Sequence, residues 1–173
     1  MAWQRTRSGK LRGDAAAEPR QRSGYDDALA LLARREHSAR ELGAKLARRG
    51  HSSEDADDAI ARLREQHYQS DPRFAASVAR HRAGQGYGPV RIRAELKSHG
   101  LGDALIREAI AELDADWAES AAAQLRRHAR TKAVNPAAAR ARDAAFLLRR
   151  GFDAATVRAV TRADTSDPDP ELD

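Results

Sequence analysis

The chain of 173 residues carries 31 Lys plus Arg against 26 Asp plus Glu, a formal net charge of +5, and 33% of its residues are charged. Three Phe, three Tyr and two Trp are too few to line a deep aromatic ligand cavity, so the core must come from closely approaching helices in which Ala supplies much of the apolar surface. With no cysteine there are no disulfides, thiolate metal sites or thiol nucleophiles.

Residues 1–24 hold six basic and two acidic side chains and no sustained apolar period, which predicts a flexible basic arm. From there to residue 163 the apolar positions recur with helical rather than alternating spacing. Ser38-Ala39-Arg40-Glu41 has the capping-box form, in which the Ser hydroxyl takes a free amide and Glu41 reaches back. Gly50 stands where a left-handed helix end needs glycine, so a helix is expected from about Ala39 to Arg49. Asp71-Pro72 reads as an N-cap followed by proline in the first turn. Gly88-Pro89 opens a further helix that Gly100 closes, and Asn135-Pro136 opens one that Gly151 closes. Residues 164–173 contain five acidic residues, no basic ones, Pro168 and Pro170, which predicts a disordered acidic tail.

These marks are periodic. An offset of 50 pairs Leu42 with Ile92, Leu46 with Leu96, Gly50 with Gly100, Ile60 with Ile110 and Leu63 with Leu113. A further offset of 51 pairs Leu96 with Leu147, Gly100 with Gly151, Leu101 with Phe152 and Ile106 with Val157. The predicted fold is all-α, an elongated tandem array of three three-helix repeats resembling helix-turn-helix units, over residues 25–68, 69–116 and 117–163. Units this small have thin cores, so neighbours are expected to support one another end to end.

Little of the sequence suggests catalysis. The six histidines, 37, 51, 67, 81, 99 and 128, lack the i, i+4 pair with an intervening glutamate that a helical zinc site uses, so no metal is expected. Gly84-Gln85-Gly86-Tyr87-Gly88-Pro89 has the glycines of a phosphate loop, but no strand precedes it and no Gly-Lys-Ser/Thr follows. It reads as a turn setting the entry of the next helix. No cofactor site and no enzyme activity are expected. No run of about 18 apolar residues could span a bilayer, and a cytoplasmic monomer is the expectation.

The basic residues say more. Arg126, Arg127 and Arg130 fall within roughly 100° on one helix, away from Trp117, Ala121 and Leu125. Lys132, Arg140 and Arg142 extend this candidate partner-binding face along the third unit, and Arg80, Arg82, Arg91 and Arg93 extend it onto the second. Such a face suits an acidic protein groove or DNA phosphate, single- or double-stranded, although aromatic residues are too sparse for a dedicated single-strand stacking platform. The same arginines also serve as solubilising helix formers, since Arg replaces Lys throughout a chain with four lysines.

Several strings carry a family resemblance: Ala30-Leu31-Leu32-Ala33-Arg34-Arg35, His37 to Leu46, Asp71-Pro72-Arg73-Phe74-Ala75, and Gly86-Tyr87-Gly88-Pro89-Val90-Arg91-Ile92-Arg93-Ala94-Glu95-Leu96. In order and spacing these resemble the bacterial RecX family from Tyr25 to Leu113, and the third unit does so by architecture. Pro72 stands where that family commonly has a second acidic residue. The resemblance implies tandem three-helix repeats in a crescent that lies in the groove of the RecA filament on single-stranded DNA. It implies restraint of that filament's strand exchange, ATPase and coprotease activities, and hence a role in DNA recombination, repair and the SOS response. The alternative reading is a helical nucleic-acid-binding regulator that acts on DNA directly.

Overall fold

The computed structural model describes residues 22–128 and 135–163, and these hold nine α-helices and no strand. They are α1 (Gly24–Leu32), α2 (Ala39–Arg48), α3 (Ser53–Glu65), α4 (Asp71–Gly84), α5 (Pro89–Ser98), α6 (Asp103–Ala111), α7 (Trp117–His128), α8 (Pro136–Arg150) and α9 (Ala154–Ala163). Helix packing is concentrated within the successive triplets α1–α3, α4–α6 and α7–α9, giving three bundles in tandem. The basic arm of residues 1–21, the acidic tail, and Arg130 with Lys132 lie outside the described residues.

Serine caps most of the early helices. The hydroxyls of Ser23, Ser38, Ser52 and Ser70 accept the amides of Asp26, Glu41, Asp55 and Arg73, each filling an amide that the first turn leaves without a helical partner. Two local expectations change. Ser23 and Gly24, assigned to the arm, cap and open α1. Asp71 is not the cap of α4 but its first residue, which frees its carboxylate for a different helix. Farther along, Asn135 caps α8, as its Pro136 neighbour suggests, and its side chain accepts from Ala137 and Ala138. The glycines related by the offsets, Gly50, Gly100 and Gly151, all take positive φ, at 91°, 82° and 86°. Each ends a helix in the left-handed conformation that other residues reach at a cost of about 1–2 kcal/mol.

The same offsets define the cores. Leu42, Leu46 and Leu63 of the first bundle are fully buried, as are Ile92, Leu96 and Ile106 of the second, while Leu147, Phe152 and Val157 fill the third. Ile110 and Leu113 pack at the margin of the second core. The clusters are small and separate, with one exception, because Trp117 packs against both the second and the third. A residue shared in this way couples two bundles that otherwise touch over a limited area.

Candidate basic interface

Two joints set the order of the bundles, and they are built from different chemistry. At the first, between α2 and α4, Asp71 accepts the Ala39 amide at 2.9 Å and so caps a helix 32 residues upstream. Its carboxylate also takes the Gln69 amide at 2.9 Å and the Arg64 guanidinium at 2.9 Å. Gln69 itself is buried and donates to the His37 carbonyl at 3.2 Å, and Ser38 donates to the His99 carbonyl at 3.2 Å while it caps α2. Arg73 closes the outside of the joint on Glu36 at 2.8 Å. Glu41, expected to reach back within a capping box, instead binds Arg35 at 2.5 Å and lies 3.1 Å from the ring nitrogen of buried His37.

The second joint is made by close backbone approach. The Gly88 amide donates to the Arg150 carbonyl at 2.9 Å and the Val90 amide to the Gly151 carbonyl at 3.0 Å, so the start of α5 pairs with the end of α8. A Cβ on Gly88 would lie 2.5 Å from the Phe152 nitrogen, and one on Gly151 would lie 2.6 Å from the Arg91 nitrogen, so both positions exclude any side chain. Above this contact three guanidiniums converge on one ring. Those of Arg91, Arg150 and Arg82 lie 4.7, 5.4 and 6.0 Å from the Tyr87 centroid, where the electron-rich face attracts cations. Arg150 also donates to the Gln85 carbonyl at 2.9 Å and lies 5.2 Å over Phe146, which stacks on His128 at 3.9 Å.

The residues of the expected basic face fall into distinct settings. Arg82 is held within the second bundle: Glu95 receives it in bidentate fashion at 2.7 Å on both oxygens. That pairing raises the Arg82 pKa and holds the Glu95 carboxyl below its ordinary range, in each case against the opposing effect of burial. Arg91 is exposed but lies on Tyr87, and Arg126 pairs with Glu119 at 2.6 Å on the surface of α7. Arg142 donates to the Ala138 carbonyl at 3.3 Å. Arg80, Arg93, Arg127 and Arg140 are exposed, and none of the ion pairs among the described residues involves them. Ala121 and Leu125 are buried on the opposite side of α7, which turns Arg126 and Arg127 outward. Tyr87 and Arg150 organise the second joint, a contact that the sequence reading did not draw. The one signal for Tyr87 was its place between two glycines before Pro89, and Arg150 lies too far along the chain to announce the contact.

Among the described residues no group of three or more His, Cys, Asp or Glu is arranged to hold a metal ion, and no helix is long and apolar enough to cross a membrane. Histidines act as structural partners instead. His51 contacts Asp27 at 2.9 Å and with Arg49 holds its carboxyl below the usual range. Burial lowers the pKa of His37, and the Glu41 beside it only partly offsets this. For Glu41 burial raises the pKa, but the hydrogen bonds from Arg35 and His37 together outweigh it and the carboxyl stays below its ordinary value.

Family comparisons agree with this architecture. The model described as RecX, first three-helix domain, matches residues 25–63, and that described as RecX, second three-helix domain, matches residues 70–110. The regulatory protein RecX of Xanthomonas citri is 43% identical over 140 residues, which cover 81% of this chain and 86% of that protein. The regulatory protein RecX of Stenotrophomonas maltophilia is 43% identical over 149 residues, covering 86% and 91%. The crystal structure of RecX from Lactobacillus salivarius superposes with a TM-score of 0.69 over 81% of this chain and 93% of that one, at 20% identity, a likeness of fold.

Proposed function

Because the chain belongs to the RecX family of regulatory proteins, we propose that it binds the RecA–single-stranded DNA filament and inhibits its recombinase, ATPase and coprotease activities. The reading makes it a non-catalytic monomer of the cytoplasm that acts in recombination, repair and the SOS response. One observation carries it: tandem bundles held in register by two specific joints, with the exposed guanidiniums of Arg80, Arg93, Arg127 and Arg140 on the second and third bundles in no ion pair of the described residues. A long polymer with an acidic groove or exposed phosphate is matched by several such cations, since each contact is weak in water and many act together.

The test compares binding to RecA filament and to the same bare single-stranded DNA across a salt series, for the wild-type protein and for Arg126→Glu, Arg127→Glu, Arg130→Glu. If these residues meet RecA, filament binding drops and bare-DNA binding scarcely changes. If they meet DNA phosphate, the slope of log affinity against log salt flattens by about two units, at roughly 0.7 per single-strand contact. Equal binding to both substrates by the wild type would favour direct action on DNA and overturn the filament reading.

A further inference from the structure

Residues 164–173 follow α9 and carry five carboxylates, no basic side chain, Pro168 and Pro170. We propose that this acidic segment docks within its own chain on the arginine and tyrosine joint between the second and third bundles, and so competes with an incoming polyanionic partner. The competition rests on the filament reading above; the docking does not.

Charge argues first. Arg82, Arg91 and Arg150 surround Tyr87, and Glu95 is taken by Arg82. Three like charges thus meet at one ring, and no ion pair of the described residues includes Arg91 or Arg150. An acidic segment relieves that repulsion while leaving the Tyr87 contacts in place.

Exposed apolar side chains flank these arginines in the sequence. Val90, one residue before Arg91, and Leu148, two before Arg150, are each 52% exposed, and the Val90 amide donates to the Gly151 carbonyl. The acidic segment supplies one large apolar side chain, Leu172, between Glu171 and Asp173. A docked segment covers Val90 or Leu148 while its carboxylates meet Arg91 and Arg150.

The reach suffices. α9 begins beside the joint, at Ala154, and its ten residues rise about 15 Å to Ala163. Ten further residues span up to about 33 Å when extended, so a chain of this length can reach from Ala163 back to Gly151. Pro168 and Pro170 favour extended backbone, which reduces the ordering cost of docking.

The absence of cysteine makes the test direct, because a nitroxide on full-length Pro170→Cys labels one site only. At about 0.05 M salt, amide signals of residues 86–93 and 148–152 should broaden, and the broadening should vanish at about 0.5 M, where the Debye length is a few ångströms. Adding Arg91→Gln and Arg150→Gln, with folding checked by circular dichroism, should abolish it. Broadening confined to α9, directed at residues 1–21 or at Arg126 and Arg127, or unchanged in the glutamine variant would overturn the proposal. If docking occurs, neutralising the five carboxylates in the full chain should raise filament affinity about twofold for a joint half occupied and tenfold for one nine-tenths occupied, at low salt only. Docking without any such gain would overturn the competition and leave the filament reading to its own test.

Discussion

The two joints solve one problem with opposite means. The first holds adjacent bundles through side chains: Asp71 caps α2 from the next bundle, Gln69 is buried between them, and Ser38 serves its own helix and the neighbour at once. The second holds them through backbone paired at two glycines, and Trp117 is shared by the cores on either side. Polar joints fail when one partner is removed, because the remaining group is left desolvated and unpaired. Glycine joints fail when anything is added.

The largest effect should therefore come from a methyl group. Gly151→Ala meets both a positive φ and the Arg91 backbone, and should cost about 3 kcal/mol or more. Gly50→Ala has the same backbone strain but open space around it, so thermal unfolding should show a loss of about 1 kcal/mol. Equal losses at both would remove steric closeness as the distinguishing property of the second joint.

Next comes deletion at the first joint. Asp71→Ala orphans the Ala39 amide and releases Gln69 and Arg64, which should cost about 2 kcal/mol, whereas Asp71→Asn keeps an acceptor and should cost about half as much. Circular dichroism melts of the two variants check the ratio. Identical melting temperatures for Asp71→Ala and wild type would show that the cross-bundle cap contributes nothing.

Acid separates the joints further. The folded pKa of His37 lies below the ordinary 6.5, so the unfolded chain binds more protons in that window and stability falls as pH drops below about 6.5. The depressed Asp27, Glu41 and Glu95 carboxyls act lower, and their contribution is lost as pH falls below their ordinary values of 3.8, 4.5 and 4.5. Hydrogen exchange between pH 7 and pH 5 should thus show the Leu42 amide losing protection before the Val90 amide. His37→Gln should abolish that order.

The smallest structural effect belongs to the exposed arginines. Arg126→Glu with Arg127→Glu should change stability by about 0.5 kcal/mol or less per site, because both side chains point into solvent and the Glu119 pair is an exposed one. A larger loss by thermal unfolding would mean that these side chains hold the third bundle together.

What the sequence disclosed follows from distance along the chain. Helix ends at Gly50, Gly100 and Gly151 and the apolar faces behind them are local properties, so the repeat and the all-α fold were legible. The Asp71 to Ala39 cap and the Tyr87 to Arg150 contact were not, because they join residues 32 and 63 positions apart and depend on how finished bundles meet. Arg82 misled for a related reason. Its partner Glu95 lies on the neighbouring helix, and only the fold reveals that the charge is already spent. The Arg126 pair with Glu119, seven residues back on one helix face, could have been read from spacing.

The most direct measurement is RecA-dependent ATP hydrolysis on single-stranded DNA, titrated with the wild-type protein and with the folded Arg126→Glu, Arg127→Glu variant, beside the chain alone. The account predicts that the wild type lowers the rate, the variant needs several-fold more protein for the same effect, and the chain alone hydrolyses no ATP above a mock preparation. An unchanged RecA rate at saturating protein, or ATP turnover by the chain itself, would contradict it.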